Sequence, residues 1–181
     1  ASWKVISGSG ELALNFEYDA IGRVIKESTA TGETYTTVYT TNKITSTDQD
    51  GIVDELILSN GKIISSGTGG EIINGTVNFQ STKSYDYNAD GYLTRVRIFQ
   101  RGILVQTNVL TYADGNLIKA VLTDEPTGEV NSITTFSHRS EKVVNISFAS
   151  DPLTNIVDHY NGNYFGKPSK NLLASSSYTA F

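Results

Sequence analysis

Apolar and polar positions alternate along most of this chain, and short clusters of Asn, Asp and Gly interrupt the alternation. A two-residue period belongs to strands that bury one face; the interruptions belong to turns between them. Leu12–Tyr18 puts Leu12, Leu14, Phe16 and Tyr18 on one side. Asp19–Gly22 then turns, and Arg23–Ser28 returns with Ile25 opposite Phe16. Thr31-Gly32 is a further turn, and Thr34–Thr40 is a Thr and Tyr strand of the kind that keeps one face wet. The most regular stretch is Tyr85-Asp86-Tyr87-Asn88-Ala89-Asp90-Gly91-Tyr92-Leu93-Thr94-Arg95-Val96. Its core is a Tyr, three polar or small residues, a Gly, and an apolar residue two positions on. The same form recurs at Tyr18–Val24 and, one loop residue shorter, at Tyr112–Leu117. Asn, Asp and Gly accept positive φ, or bond their own backbone, at little cost, so hairpins can close at these points.

A register follows. Pairing Tyr87 with Tyr92 across Asn88–Gly91 sets Tyr85 opposite Thr94, Lys83 opposite Val96, Ser81 opposite Ile98 and Phe79 opposite Gln100. One face then carries Phe79, Tyr85, Tyr87, Tyr92, Val96 and Ile98. The other carries Thr82, Ser84, Asp86, Arg95 and Arg97. A slip of one residue would drive both Arg into the apolar face, so the pattern specifies the pairing. Arg101-Gly102 closes a two-residue hairpin. It sets Gln100 against Ile103, Ile98 against Val105, Val96 against Thr107 and Thr94 against Val109. Strands of about ten residues are long against the usual five or six, and joined by tight turns they predict one large curved antiparallel sheet.

The remaining segments fit around that ribbon. Asp48-Gln49-Asp50-Gly51 has the look of a calcium loop, but aligning it as one puts Ser46 first and Ile57 twelfth, without the bidentate acid, so it reads as a hairpin turn. Ser59-Asn60-Gly61 is another hairpin signal. Ser65–Gly75, with Gly67, Gly69, Gly70 and Gly75, reads as an irregular, flexible loop; no helix follows to make it a phosphate cradle. Thr76–Tyr87 reads as one strand, and Thr123–Gly128 as a longer loop. Glu129–Ser137 and Lys142–Ala149 read as strands around a turn at His138-Arg139-Ser140. The period then changes. Asp151-Pro152 places an N-cap before a first-turn Pro, and Leu153, Ile156, Val157 and Tyr160 form one helical stripe ended by Asn161-Gly162. A lone amphipathic helix in a sheet protein buries its stripe on the sheet, so the pattern sets it over the concave face. The tail from Phe165 to Leu173 reads as extended or turn-like, and Ala174–Phe181 as an edge strand.

Composition narrows the chemistry. The 181 residues suffice for one domain, 1–181, with a substantial core. Thr, Ser, Gly, Asn, Ile and Val dominate, which is strand and turn material. A net charge of −5 argues against nucleic acid as partner. There is no Cys, hence no disulfide, thiolate metal site or Cys nucleophile. No run of 18 apolar residues marks a membrane-spanning helix. His138 and His159 are the two His; Asp158 and His159 are helix neighbours that do not face each other. The Ser residues lack a Gly-x-Ser-x-Gly context, and no pair of acids is fixed by spacing. The sequence therefore assigns no catalytic residue, cofactor or metal.

The Tyr-Asp-x-x-Gly-Arg-Val form at Tyr18–Val24 resembles the tyrosine-aspartate repeats of secreted bacterial shell and toxin-delivery proteins. Together with the segment Phe165-Gly166-Lys167-Pro168-Ser169-Lys170-Asn171-Leu172, the Tyr-x-x-x-Gly hairpins are also similar to a family of exported bacterial proteins, many of them lipoproteins, that have no assigned function and a porin-like curved antiparallel sheet. That resemblance implies export to the periplasm or cell surface, with a lipid anchor upstream, and brings no catalytic residue.

The expected fold is all-β: a long antiparallel meander forming a strongly curved sheet or half-barrel, with one short C-terminal helix. The leading function is a non-enzymatic exported binding or carrier module that holds a lipid or other apolar or amphipathic small molecule on the concave face, lined by Phe79, Tyr85, Tyr87, Tyr92, Val96 and Ile98. One alternative is a structural or adhesive surface module that binds protein or glycan, with a filled interior. The other is a hydrolase, which requires two carboxylates or an Asp-His pair converging in a cleft.

Overall fold

The computed structural model describes residues 2–7, 10–142, 164–167 and 169–181. They form fourteen strands: β1 Ser2–Ser7, β2 Gly10–Tyr18, β3 Val24–Thr29, β4 Thr34–Tyr39, β5 Lys43–Asp48, β6 Val53–Ser59, β7 Lys62–Ile73, β8 Thr76–Asn78, β9 Ser81–Tyr87, β10 Leu93–Gln100, β11 Ile103–Ala113, β12 Asn116–Asp124, β13 Glu129–Lys142 and β14 Asn171–Ala180. Each pairs antiparallel with its chain neighbour, except that β8 pairs only with the end of β7 and β9 returns to pair with β7 as well. The result is an open all-β meander running from β1 to β14. The helix expected over 151–162 and most of the strand expected over Lys142–Ala149 fall outside the described residues.

The turns explain the repeated motif. Asp19, Asp48 and Asn88 each stand first in a four-residue turn whose last residue is Gly with positive φ. Their side-chain Oδ1 accepts the N–H of the residue four on: Arg23 at 2.9 Å, Ile52 at 2.8 Å and Tyr92 at 2.9 Å. Thr29 Oγ1 does the same for Glu33 at 3.1 Å. The calcium-like Asp48–Gly51 is thus a turn, as expected. Asn60-Gly61, Asn74-Gly75, Arg101-Gly102 and Asp114-Gly115 are two-residue hairpins with positive φ at both positions.

The register follows the sequence beside the Arg101-Gly102 turn and departs from it elsewhere in the ribbon of β9, β10 and β11. Gln100 pairs with Ile103 and Phe99 with Leu104, as predicted, but a bulge then sets Ile98 opposite Gln106 and Val96 opposite Asn108. In the preceding hairpin Tyr87 pairs with Leu93 rather than Tyr92, because Asn88 N–H bonds Tyr92 O and widens the turn; after a further bulge Tyr85 faces Val96 and Lys83 faces Ile98. The polar face survives, with Arg95 opposite Asp86 and Arg97 opposite Ser84.

Two loops of the sequence reading are strand. The glycine-rich segment lies within β7, twelve residues long, up to Ile73, and only its end, Asn74-Gly75, is a turn. Glycine suits it because the Phe79 ring lies flat on the backbone there: a Cβ at Gly67 would sit 2.5 Å from Phe79 Cγ, and one at Gly70 would sit 2.7 Å from Phe79 Cε1. Thr76–Tyr87 is correspondingly broken, with Phe79 and Gln80 between β8 and β9. The turn expected at His138 is instead the interior of β13, where bulges flank the His138–Leu173 pair.

The core joins Ile44, Leu56, Ile63, Tyr85, Leu93, Val96, Leu110, Leu117 and Phe136 on one face. Tyr164 and Phe165, from the segment that leads into β14, and Leu173 of β14 pack onto it. That segment is a strap across one end of the sheet. Tyr164 O accepts Ile63 N–H at 2.8 Å, Lys167 N–H donates to Gly91 O at 2.9 Å, and Lys170 N–H donates to Gly115 O at 2.9 Å. It fastens three hairpin tips in a row. Gly166 (φ 85°) lets it come close: a Cβ there would lie 2.5 Å from Gly91 O and 2.9 Å from Tyr87 Cε1.

Candidate functional site

The aromatic set divides. Tyr85 is 5% exposed, its hydroxyl lies 3.0 Å from Ser66 Oγ, and its ring meets Phe165 edge-on at 5.5 Å. Burial pushes its phenol up to about 12, partly offset by the Ser66 hydrogen bond. Tyr87 donates to Ile63 O at 2.8 Å; burial, with Tyr85 and Tyr112 nearby, raises its phenol further. Tyr92 is drawn to the hairpin end, where its ring lies 4.8 Å from Tyr112 and 5.8 Å from Lys167 Nζ. Val96 is buried and Ile98 packs against the core. Tyr85, Tyr87 and Tyr92 stand where the strap closes, so what meets them is the chain's own Phe165, Tyr164 and Lys167. Phe79 stands apart. Ser66 reaches Tyr85, and Gly67, the next residue along the strand, presents the opposite side of the sheet to Phe79.

The other end of the same face differs. Lys83 pairs in register with Ser66 on one side and Ile98 on the other, both core-facing, so its side chain is on the core face. Burial lowers the pKa of its ammonium. Two residues further along each strand are Ser81 and Gln100. With Gln80, Arg101, Ile103 and Val105 they line a groove of about 500 Å³. Ile103 is 67% exposed there. The groove lies by the Arg101-Gly102 turn, at the opposite end of the strands from the strap. Sequence reasoning passed over Lys83, although the signal was visible: a cation at a core-facing position of an alternating strand.

On the outer face Arg97 Nη2 bonds Asp86 Oδ2 and Arg97 Nη1 donates to Ser84 Oγ at 3.1 Å; Arg95 Nη1 is 3.9 Å from Asp86 Oδ2. His138 is half-buried, which lowers its pKa. Among the described residues, no group of three His, Asp or Glu side chains converges on a metal position. His159 and Asp158 fall outside them. Among the described residues no helix is long and apolar enough to cross a membrane.

A family described as a domain of unknown function (DUF4595) with porin-like fold matches residues 16–180. A porin-like protein from Bacteroides uniformis ATCC 8492 is similar in structure, with a TM-score of 0.61, 17% identity, and coverage of 94% of this chain and 74% of that one. At that identity the likeness speaks for the fold. A chain of a TcdB2-TccC3-Cdc42 complex aligns with 71% of this chain and 8% of its own length at 16% identity, and its TM-score of 0.38 carries no argument. No curated protein matches the sequence.

Proposed function

This chain belongs to the DUF4595 family, domains of unknown function with a porin-like fold, and from that premise we propose that it is an exported, non-enzymatic binding module holding an amphipathic ligand on its core face. The observation that carries the reading is the groove by the Arg101-Gly102 turn, where the core face runs on past Lys83 and Ile98 beyond the reach of the strap. Exposed Ile103 offers an apolar wall beside polar Ser81, Gln100 and Arg101, the mixed lining a small amphiphile needs. The lining expected from the sequence is therefore replaced in this proposal: Tyr85, Tyr87 and Tyr92 meet the strap, Val96 is buried in the core, Phe79 is on the opposite side of the sheet, and Ile98, paired with Lys83, stands nearest the binding end.

The fold-family description does not make the molecule a pore. A membrane barrel turns an apolar band outward and a polar surface inward. Here the polarity is reversed around β9 and β10: Arg95, Arg97 and Asp86 face out, while Tyr85, Leu93 and Val96 face the core. That arrangement supports a water-surrounded sheet; the periplasm or cell surface as its place, with a lipid anchor upstream, enters the proposal from the family resemblance alone.

The second reading is a structural or adhesive module. The filled aromatic face supports it, as do the exposed Tyr178 (68%) and Phe181 (76%) at β14. Native mass spectrometry of the protein purified from its source separates the two. A co-purifying amphiphile, displaced when Ile103→Asp is introduced, is the expected result. A bare polypeptide mass that stays bare after incubation with amphiphiles would transfer the assignment to the structural reading.

A further inference from the structure

We infer that the ligand's polar end is an anion, a carboxylate, taken up by Lys83, which stands two residues along β9 from the groove wall at Ser81, with Arg101 in the lining itself; this rests on the binding-module reading above. A cation turned toward a core is costly unless an opposite charge meets it. Among the described residues Lys83 has no ion pair. The acids nearest by register are elsewhere engaged or too far. Asp54 on β6 accepts Gly69 N–H at 2.9 Å. Asp124 is reached through Ile98 and Gln106, three strand spacings or roughly 14 Å away. The vacant counter-charge is thus beside the groove, within reach of what binds there.

A molecule with a carboxylate for Lys83 and an alkyl part against Ile103 and Val105 satisfies both surfaces.

Binding of decanoate and of the uncharged, equally long decanol to the purified chain tests this, by titration calorimetry. Decanoate is expected to bind at least tenfold more tightly than decanol. Lys83→Gln should remove that preference and leave decanol unchanged, and Arg101→Gln should weaken decanoate about threefold. Lys83→Gln is expected to fold with an undiminished thermal midpoint, since it deletes a desolvated charge, and Arg101→Gln changes an exposed turn residue, so the pair guards against a folding artefact. If both probes bind equally and Lys83→Gln changes neither, the anion inference is overturned while the binding module stands. If neither probe binds the wild-type chain, both fall.

Discussion

Replacing Gly166 by Ala tests the strap directly. The new methyl would lie 2.5 Å from Gly91 O, 2.9 Å from Tyr87 Cε1 and 3.1 Å from Tyr87 Cδ1. Neither a turn carbonyl nor a ring hemmed in by Lys62 and the Ile63 carbonyl can swing aside freely. The substitution carries two costs. An L-residue at φ +85° costs about 1–2 kcal/mol, and inserting a methyl where none fits costs about 1–3 kcal/mol. Gly102 supplies the control, because it has nearly the same φ of +80° and nothing within 4 Å of its Cβ position. Gly102→Ala therefore reports the conformational cost alone, and the difference between the variants reports the close approach. That difference should be about 2 kcal/mol, which for a chain of this size lowers the melting midpoint by a further ~4–8 °C. Urea denaturation with hydrogen exchange is the assay. In Gly166→Ala the amides of Lys167 and Lys170, which bond Gly91 O and Gly115 O, should exchange faster than in Gly102→Ala. Equal destabilisation of the two variants, with both amides still protected, would refute the idea that the strap is seated against the Tyr87–Gly91 turn.

Tyr85→Phe should flatten the alkaline end of the stability profile. Burial favours the neutral phenol, so in wild type the contribution is intact below pH 10, where an unfolded Tyr begins to ionise, and is lost as pH rises toward about 12. The loss is on the order of 2 kcal/mol, read from urea midpoints between pH 9 and 12, and a variant profile parallel to wild type would contradict it. Gly67→Ala should cost about 1–3 kcal/mol by colliding with the Phe79 ring, and Phe79→Ala about 2 kcal/mol. The double variant should cost clearly less than the sum, whereas strict additivity in the denaturation cycle would place the ring elsewhere. Arg97→Ala should cost under about 1 kcal/mol, because the Asp86–Arg97 pair is partly exposed, and the cost should shrink in 1 M salt. A salt-independent loss above about 2 kcal/mol would mean that the outer face is covered.

The turns and the strands they join were legible because positive φ leaves few residue choices, and Asn, Asp and Gly mark those places. Register was legible only beside the two-residue Arg101-Gly102 turn; at Asn88–Gly91 even the first pair is displaced, to Tyr87 with Leu93. The bulges at Thr94 and Val105 change no hydrophobic pattern that a single sequence displays, and each moves the rest of its strand by one position. Tyr85, Tyr87, Val96 and Ile98 were correctly set on one face because alternation survives a paired bulge. Phe79 was misplaced because the chain leaves the β9 ladder at Gln80, and the clue lay a dozen residues earlier, in strand glycines with no turn to make. The strap was out of reach for a different reason. Phe165 and Gly166 owe their role to Tyr85, Tyr87 and Gly91, and nothing local to either segment encodes that meeting.

Almost every strand pairs with the one made just before it, so the meander can assemble progressively, with little loop-closure entropy at each addition. The fastening of the hairpin tips is the exception. Tyr164 meets Tyr87 across 77 positions of chain, and Ser169 meets Leu117 across 52. During synthesis from the N-terminus, Tyr85, Leu93 and Leu117 are all in place before their lid has been translated. The nascent sheet therefore passes through an interval with its greasy end unsealed, and a chaperone that grips exposed strands would have its opportunity there.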